Sequence, residues 1–491
     1  MLKEKKKAIV IGTGIAGLAA AVRLAIKGYE VNSYEANSYP GGKLTQIELN
    51  GFRFDAGPSL LTMPFLVDEI FELAGEDPKK YFNYKRLDPI CKYFYEDGTQ
   101  LDAHADPQAF AEELEEKIGE PKENVLRYLA TSREIYEITS PVFLERSLHK
   151  IGTYLRWHTI KSIFKMGKIH TNISMSDYNT KHFKKEKTVQ FFNRFSTYNG
   201  SDAYQAPATL NVIPHLEFNK GAFFPEGGIY SISKSLYKLG KQLGIKYHFE
   251  TPVQKILVEN KKVKGVALPN GAIKEADVVV SNMDVYGTFK NLLPNEKHPE
   301  KVLNQEKSCS GIIHYLGIKK TFPALDLHNI FFSKNSAEEF KTIFKQDQVY
   351  HDPTVYLNIS SKIEKSDAPE GCENWFILIN APHNNGQDWD TMISEARKNI
   401  LAKLSRILGE DIEKLIVAED YLDPRRIKSR TSSHLGALYG NSSNNKMGAF
   451  MRHPNFSKHI KNLYFCGGSV HPGGGMPLSL LSAKLVDEMV G

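Results

Sequence analysis

The feature that most constrains this 491-residue chain is the glycine-containing stretch at residues 8–43, which has the spacing of a dinucleotide-binding unit. Residues 8–11 are apolar and predict a strand buried on both faces. The chain then turns at Gly12, and Gly14 leaves room for a pyrophosphate to approach the backbone. Gly17 allows the following helix to pack close to that strand, with its N-terminal amides directed at the phosphates. The segment therefore predicts a strand, a turn, a helix and a second strand in that order.

An acidic residue follows these glycines at the distance that a ribose contact requires. Glu35 ends the second predicted strand about twenty residues beyond the glycines, where its carboxylate can accept hydrogen bonds from ribose hydroxyls and would repel a 2′-phosphate. The pair Gly41–Gly42 comes next. Glycines alone are a weak signal, because a turn can contain them incidentally. The strand, the helix and the acid together predict that the chain binds FAD.

A second glycine-rich segment lies near the other end of the chain. Pro477 suits the first turn of a helix because its missing N–H would have no partner there, so residues 477–490 predict a closing helix whose positive end is at residues 475–479. Such an end stabilises an anion, and reduced flavin carries negative charge at the N1/C2 carbonyl edge of its ring. The alternative is a glycine-rich loop before an ordinary helix. Two glycine-rich helix starts suit a long cofactor that is held at both ends.

Composition restricts the class of protein. Hydrophobic residues make up 41% and charged residues 24% of the chain, as in ordinary soluble proteins, and no apolar run has transmembrane length. The basic start MLKEKKK is interpreted as a solvated tail, and a cytoplasmic protein is expected. A net charge of +6 does not indicate nucleic acid as a partner. We predict no metal site, disulfide or redox dithiol, because the cysteines are far apart, at Cys91, Cys309, Cys372 and Cys466.

The sequence predicts an α/β protein in which the nucleotide-binding parts return after long insertions. A Rossmann-like, three-layer FAD-binding domain would be built from the discontinuous segments 1–90, 221–290 and 430–491. Residues 101–200 are helical and basic in pattern, and residues 310–420 alternate strand-like stretches with a helix. An α+β substrate-binding and membrane-associating domain, with a mixed sheet and helices, is therefore expected from 91–220 and 291–429.

The whole chain resembles the bacterial carotenoid desaturases of the phytoene desaturase group, within the amine-oxidase-like flavoproteins. The resemblance rests on motifs at both ends: IGTGIAGLAAA, YEAN followed by PGGK, FDAGPSLLTMP, FPEGGIYSISKSL, ADVVVSNMD and GGSVHPGGGMPLSLLSAK. Within that group, Val470-His471-Pro472 followed by residues 477–481 is most similar to the hydroxycarotenoid 3,4-desaturases.

The resemblance implies three groups of FAD contacts. The pyrophosphate would be held by Gly12, Gly14, Gly17, Gly42 and Lys43. The adenosine would contact Glu35 through its ribose and the backbone of Val253 through its adenine edge. The flavin ring and the ribityl chain would contact Gly57, Pro58, Gly468, Ser469, Gly475 and Met476. Lys43 replaces an arginine that is common in the family, and a lysine lacks the bidentate geometry of a guanidinium.

The resemblance also implies a reaction, the conversion of a C–C single bond next to a polyene into a double bond. Hydride would leave one carbon for flavin N5, the allylic cation would be delocalised along the polyene, and a proton would leave the neighbouring carbon. A hydrocarbon offers few polar groups, so orientation by an apolar tunnel is expected to supply most of the catalysis. The candidates for cation stabilisation or proton acceptance are Glu145, Arg146, Arg194 and Tyr198, each with a structural alternative as an ion pair or a packed aromatic.

So apolar a substrate suggests delivery from a membrane, and residues 147–169 interleave basic with apolar side chains. This pattern suits a helix that lies in the membrane interface, and the alternative is an ordinary domain helix with solvated lysines. We therefore predict a cytoplasmic protein that associates peripherally with the inner face of the cell membrane. Oxygen or a quinone is the expected electron acceptor, because the sequence has no second glycine fingerprint for NAD.

Two other functions stay open from the sequence. A flavin amine oxidase shares the N-terminal motif, but that family generally has an acidic residue after its final strand glycine, whereas this strand ends in residues 466–469, CGGS. A non-enzymatic prenyl- or lipid-binding escort of the same fold would carry no FAD and would be colourless when purified.

Overall fold

The computed structural model describes residues 5–445, 448 and 450–490. The strands in these residues are β1 Lys7–Ile11, β2 Glu30–Tyr34, β3 Gln46–Leu49, β4 Phe52–Asp55, β5 Tyr84–Arg86, β6 Cys91–Phe94, β7 Gln100–Ala103, β8 Phe223–Pro225, β9 Lys246–His248, β10 Lys255–Glu259, β11 Lys262–Ala267, β12 Ile273–Glu275, β13 Val278–Ser281, β14 Ser310–Ile318, β15 His328–Phe331, β16 Val355–Asn358, β17 Glu373–Ala381, β18 Ile416–Leu422 and β19 Leu463–Phe465.

The helices in the same residues are α1 Ile15–Ile26, α2 Phe65–Leu73, α3 Pro107–Ile118, α4 Lys122–Thr139, α5 Ile151–Tyr154, α6 Trp157–Phe164, α7 Met175–His182, α8 Glu186–Asn193, α9 Tyr230–Gln242, α10 Val285–Gly287, α11 Glu300–Leu303, α12 Ser336–Lys345, α13 Trp389–Leu408, α14 Pro424–Thr431 and α15 Met476–Met489.

A five-stranded parallel sheet in the order β19-β13-β1-β2-β9 forms the nucleotide-binding half. Its central strand is apolar on both faces. Ala8 and Val10 belong to the core formed with α1, α9 and α15, whereas Ile9 and Ile11 belong to the core formed with the antiparallel sheet β10-β11-β12. Helices therefore cover one face of the parallel sheet and a small sheet covers the other, so the predicted three-layer α/β fold is confirmed.

The strands of the parallel sheet come from parts of the chain that are far apart in sequence. Val10 pairs with Ser33 of β2 and with Val280 of β13, and Val280 pairs in turn with Tyr464 of β19. β10 and β11 form an antiparallel hairpin, and its connecting residues Asn260 and Lys261 both have positive φ. A loop with two left-handed residues matches the twist of the strands that it joins. The domain boundaries at 90, 221, 290 and 430 stay a prediction.

A seven-stranded mixed sheet in the order β18-β14-β17-β16-β15-β6-β7 forms the second half. β15 and β6 are parallel, and the other neighbours are antiparallel. One face packs on the long helix α13 through a core that contains Trp375, Ile377 and Ile379. The opposite face, which carries Ile313, Phe376 and Leu378, lines a cavity.

A helical segment, residues 107–219, lies on the other side of this cavity. Its core is rich in aromatic rings, and the rings of Phe110 and Phe218 stack with centroids 4.4 Å apart. Phe191, Phe192 and Phe195 on and after α8 are fully buried in the same core. This core holds the residues that follow α8, which include Arg194 and Tyr198, against the cavity.

The region predicted as an interfacial helix differs from that expectation. Residues 147–169 form the short helices α5 and α6 and a 3₁₀ turn at Met166–Ile169 instead of one continuous helix. Arg156 adopts extended backbone angles between α5 and α6, which ends the first helix and starts the second. Among the described helices none has the length and apolar character needed to cross a bilayer.

Candidate active site

One cavity of about 840 Å³ runs from the edge of the parallel sheet to the floor formed by the seven-stranded sheet. Its lining contains the glycine turn after β1, the end of β2, residues 41–45 and 56–60, and the start of α15. It continues across β14, β17, β16 and β15 and under the helical segment. The two ends of the chain thus meet at a single cavity.

The glycine turn has the backbone that a pyrophosphate cradle needs. Gly12 has φ +90°, a left-handed value that favours glycine. A Cβ at Gly14 would lie 2.5 Å from Asn282 Oδ1, and a Cβ at Gly17 would lie 2.1 Å from the carbonyl oxygen of Gly12. No side chain in the described part of the chain caps α1, so its first amides are available to an anion at the cavity wall.

The segment with the paired glycines closes over this turn. Gly42 packs against Gly14, since a Cβ at Gly42 would lie 3.3 Å from the Cα of Gly14. Gly57 packs more closely still, because a Cβ there would lie 2.0 Å from the carbonyl oxygen of Lys43. Gly42, Gly57 and Pro58 all line the cavity. These contacts explain why small residues occupy these positions.

Glu35 is buried at the end of β2, at the cavity wall. Its Oε2 accepts hydrogen bonds from the amide and the hydroxyl of Thr13, at 2.7 and 2.8 Å. Its Oε1 accepts from the amide and the side chain of Asn37, at 2.9 and 3.0 Å. The carboxylate is therefore held in one orientation, and a ribose hydroxyl would compete with the Asn37 amide for it. Val253 lines the same end of the cavity.

The hydrogen bonds of Lys43 differ from those expected for a residue that binds the pyrophosphate. Its ammonium donates to the carbonyl oxygens of Ala437 and Leu438, at 3.2 and 2.8 Å. Burial lowers the pKa of this ammonium to about 8, and the carboxylate of Asp284 opposes the shift. The side chain also lines the cavity, so its assignment to the pyrophosphate stays a prediction. No local sequence pattern indicates the contact between Lys43 and residues 437–438.

The start of α15 reaches the cavity from the other side. The helix begins at Met476 after Gly475, which has φ +100°, and none of the described side chains caps it. Gly468, Ser469 and Met476 line the cavity next to it. The predicted closing helix is confirmed, with its free amides directed at the same space as those of α1.

A buried guanidinium that sequence reasoning missed, that of Arg452, lies beside Gly473 in the glycine-rich loop before α15. Arg452 donates to Tyr439 O at 3.5 Å and to Asn199 Oδ1 at 3.3 Å. A Cβ placed on Gly473 would lie 3.0 Å from the Nε atom of Arg452. Burial lowers the pKa of Arg452 to about 10. A single arginine in a loop gives no motif, so only the fold shows that it lines the cavity.

These residues fit FAD. Two uncapped helix N-termini and a buried guanidinium suit the negative pyrophosphate and the electron-rich edge of a flavin, and a buried acid suits a ribose. The glycine positions 14, 17 and 57 leave no room for a side chain, as close approach of a cofactor requires. A single continuous cavity joins all of these features.

Two predicted residues belong to a buried polar group further along the cavity. Arg194 donates to the hydroxyls of Tyr93 at 2.5 Å and Tyr198 at 3.3 Å, and its Nη2 lies 3.6 Å from Oε1 of Glu217. The hydroxyl of Tyr198 donates to Oε2 of Glu217. Burial raises the pKa of Glu217, while Arg194 opposes the shift. Sequence reasoning missed Glu217, which has no motif around it.

A second buried group on β15 and β16 lines the same region. His328 Nδ1 contacts the hydroxyl of Tyr356 at 2.7 Å and Nδ2 of Asn358 at 3.2 Å. The hydroxyl of Tyr356 is 2.6 Å from Oγ of Ser59, which follows Pro58 in the chain. Burial, followed by the charge of Arg194, lowers the pKa of His328 to about 3. This imidazole is therefore neutral at physiological pH.

Glu145 and Arg146 are not brought into the cavity. Glu145 is exposed and accepts a hydrogen bond from Ser140 at 3.2 Å, and Arg146 forms a 3.2 Å ion pair with Glu488. Neither is among the residues that line the cavity, whereas the preceding Phe143 and Leu144 are. The π-helical turn at Ser140–Leu144 turns the chain outward after Leu144. We therefore do not assign these two residues a catalytic role.

Comparisons with known proteins agree with this arrangement. The family model for flavin containing amine oxidoreductases matches residues 15–486. A 1-hydroxycarotenoid 3,4-desaturase of Flavobacterium sp. is 50% identical over 485 residues, 99% of each chain. A 4,4′-diapolycopene oxygenase of Methylomonas sp. is 33% identical over 494 residues, 99% of this chain and 98% of that one. The structure of an oxidoreductase from Methanosarcina mazei, 16% identical, matches with a TM-score of 0.66 over 98% of this chain and 100% of that one, which shows a common fold.

Proposed function

Because the chain belongs to the family of flavin containing amine oxidoreductases, we propose that it is an FAD-dependent carotenoid desaturase. The observation that carries the proposal is the 50% identity, over 99% of both chains, with a 1-hydroxycarotenoid 3,4-desaturase. The long cavity with apolar walls beyond the cofactor cradle supports it, because a polyene needs such a space.

The residues that would hold FAD are those of the two glycine-rich helix starts. The pyrophosphate would be contacted by Gly12, Gly14, Gly17, Gly42 and Lys43. Glu35 would contact the ribose, Val253 the adenine edge, and residues 57–58, 468–469 and 475–476 the flavin half. Bound FAD supplies the hydride acceptor for oxidation of a C–C single bond. The uncapped start of α15 and the guanidinium of Arg452 place positive electrostatic potential at that half of the cavity.

The protein's own contribution beyond the cofactor cradle is orientation. The floor of the cavity presents Ile313, Phe376 and Leu378, and the helical segment presents Ile213 and Leu216. These side chains exclude water and fix the polyene in one direction, which lowers the entropic part of the barrier. A carbocation formed next to a polyene needs no charged partner, because the polyene itself delocalises the charge.

The finer substrate assignment is 3,4-desaturation of a hydroxylated or monocyclic carotenoid. It is supported by the identity with the hydroxycarotenoid enzyme, which is higher than that with the 4,4′-diapolycopene oxygenase. Oxygen or a quinone is proposed as the acceptor that reoxidises the flavin, because the sequence contains no second glycine fingerprint for NAD.

We also propose peripheral attachment to the cytoplasmic face of the membrane through residues 147–169. Ile151, Leu155, Trp157 and Phe164 expose 81%, 75%, 67% and 86% of their surface, and basic residues surround them. Exposed apolar side chains in a basic setting bind the interface of anionic lipid. α6 contacts the turn at 140–144, whose Phe143 and Leu144 line the cavity, so lipid at this surface would lie close to the cavity.

Pigment analysis tests the proposed function. The chain would be expressed in hosts that accumulate acyclic, monocyclic or hydroxylated carotenoids, and each pigment identified by mass and absorption. We expect a product two hydrogens lighter, with absorption at longer wavelength, and a purified protein with a flavin spectrum. Unchanged pigment in every host, together with turnover of amines, would favour an amine oxidase instead, and a colourless protein would favour an escort.

A further inference from the structure

We propose that Glu217 and His328 form a subsite that binds a hydroxyl group of the substrate close to the bond that is oxidised. The inference rests on the proposed desaturase function and names the groups that would select a hydroxylated polyene. Both side chains line the cavity, and they are 1% and 3% exposed.

Each of the two side chains has one polar atom without a hydrogen-bond partner among the described residues. Oε1 of Glu217 has none, although Oε2 accepts from Tyr198. Nε2 of His328 has none, although Nδ1 is used by Tyr356 and Asn358. A buried polar atom that stays unpaired is costly, so two of them lining one cavity indicate a polar ligand group.

The hydrogen bonds of His328 determine the role of its free nitrogen. Nδ2 of Asn358 can only donate, so Nδ1 of His328 accepts and the ring proton lies on Nε2. The depressed pKa of His328 excludes a second ring proton at physiological pH. Nε2–H is therefore a donor, whereas Oε1 of Glu217 is an acceptor.

One acceptor and one donor match a hydroxyl, which can donate to Glu217 and accept from His328. A charged ligand is less suitable. Arg194 lies 3.6 Å from Glu217, so the pair presents no net charge to the cavity, and an ammonium or a carboxylate would be attracted by one partner and repelled by the other. The surrounding wall is apolar and aromatic, with Ile330, Phe332 and Ile213 as neighbours in the lining.

The subsite is joined to the segment assigned to the flavin ring. His328 contacts Tyr356, Tyr356 contacts Ser59, and Ser59 follows Gly57–Pro58. A hydroxyl on carbon 1 lies roughly 4–5 Å from the C3–C4 bond, given C–C bonds of about 1.5 Å. A hydroxyl-binding group must then lie near the reacting bond, as this hydrogen-bonded connection indicates.

The test compares a 1-hydroxylated polyene with the same polyene that lacks the hydroxyl, both in lipid vesicles, using FAD-loaded protein. Vesicle partitioning gives the dissociation constant, and product formation gives kcat/KM. We expect the native protein to favour the hydroxylated compound about 10- to 100-fold. His328→Phe should bring this ratio close to one, mainly through weaker binding of the hydroxylated compound, and His328→Gln, which keeps an N–H donor, should recover part of it.

Glu217→Gln provides a second test if His328→Phe does not fold, and it should reduce the ratio by about tenfold. The matched control is Glu339→Gln. Glu339 is another buried glutamate in the cavity lining, but both its oxygens accept hydrogen bonds from Ser333 or Thr354, so its replacement should leave the ratio unchanged.

The outcomes separate the two proposals. If the native protein converts both polyenes equally well, or if folded and FAD-loaded His328→Phe and Glu217→Gln keep the native ratio, the hydroxyl subsite is overturned and the desaturase function stands. If no polyene binds or is converted in any variant, the desaturase function itself fails.

Discussion

At the scale of single residues, Gly17 shows how one missing side chain joins fold and cofactor. The residue lies in the first turn of α1, and its Cα approaches the strand end so closely that a Cβ would lie 2.1 Å from Gly12 O and 2.9 Å from Asn282 Oδ1. The first obstacle is backbone, which cannot rotate away as a side chain can. Any larger residue must displace the helix from the turn.

We predict that Gly17→Ala shifts α1, weakens FAD binding and destabilises the protein by about 1–3 kcal/mol. The flavin-to-protein absorbance ratio and a thermal melt measure the two effects. Gly167→Ala is the matched control, because apart from the adjoining backbone no described residue has an atom within 4 Å of a Cβ at that position. Full flavin content and an unchanged melt in Gly17→Ala would show that α1 does not need this close contact.

The candidate site shows which residues a sequence can reveal. Gly12, Gly14, Gly17 and Glu35 were found because their spacing is local and has a physical meaning for a dinucleotide. Glu217 and His328 were missed, because each stands alone in sequence and they are brought to one cavity only by α8, β15 and the chain after α8. Arg452 was missed for the same reason.

At the scale of elements, the surface formed by α5, α6 and the 3₁₀ turn after them exposes apolar side chains. The sequence pattern alone does not show whether these side chains face solvent or a domain core. The apolar side chains at Leu155, Trp157 and Phe164 are exposed rather than buried in a domain core. They are also accompanied by exposed Lys161 and Lys165. This combination favours lipid contact over an ordinary helix with solvated lysines.

We predict that replacing Leu155, Trp157 and Phe164 together by serine releases the protein from anionic vesicles. The loss of three apolar side chains costs roughly 3 kcal/mol of binding, which corresponds to a partition coefficient about a hundredfold lower. Liposome flotation measures this partition coefficient.

The matched control replaces three exposed apolar residues elsewhere, Phe65, Leu73 and Ile273, by serine. That variant should float like the native protein. Equal flotation of both triple variants would contradict a specific membrane surface, and no flotation of the native protein would exclude lipid binding altogether.

The elements that sequence predicted best are those with local signals. β1, α1 and β2 follow from the glycine spacing, and α15 follows from the glycines and the proline at its start. The pairing of β6 with β15 joins residues more than two hundred positions apart, and no local pattern specifies such a partner. Residues 147–169 have a uniform composition, which predicts one helix, but the extended backbone at Arg156 divides them into α5 and α6.

At the scale of the whole molecule, the same close packing that builds the cavity buries several histidines. His328, His453 and His471 are almost completely buried, and burial lowers the pKa of His453 and of His471 to about 4 and that of His328 to about 3. The unfolded chain protonates a histidine near pH 6.5, whereas the folded chain resists protonation until the pH is much lower. Acid should therefore favour unfolding.

His453 is the residue at which we test how a lowered histidine pKa makes stability depend on pH. Its ring lies 5.4 Å from the ring of Phe289 and 4.8 Å from that of Phe465, and its Nδ1 donates to Pro454 O at 2.7 Å. Burial is the largest cause of the lowered pKa, and the charges of His149 and Lys458 add to it. Because the unfolded state binds the proton first, this residue contributes stability above about pH 6.5 that is lost as the pH falls towards 4.

We predict that the free energy of unfolding of the native protein falls by about 2 kcal/mol more than that of His453→Gln between pH 7.5 and pH 4.5. Urea titrations at several pH values measure this difference. Buried carboxyl groups such as Glu217 and Glu339, whose pKa values burial raises, act in the opposite direction, but they are common to both proteins and cancel in the comparison. His459→Gln changes an exposed histidine and should follow the native curve. Parallel curves for the native protein and His453→Gln would mean that the folded core accepts a proton at His453 as readily as the unfolded chain does, and the close packing of this imidazole between two aromatic rings would then not govern its charge.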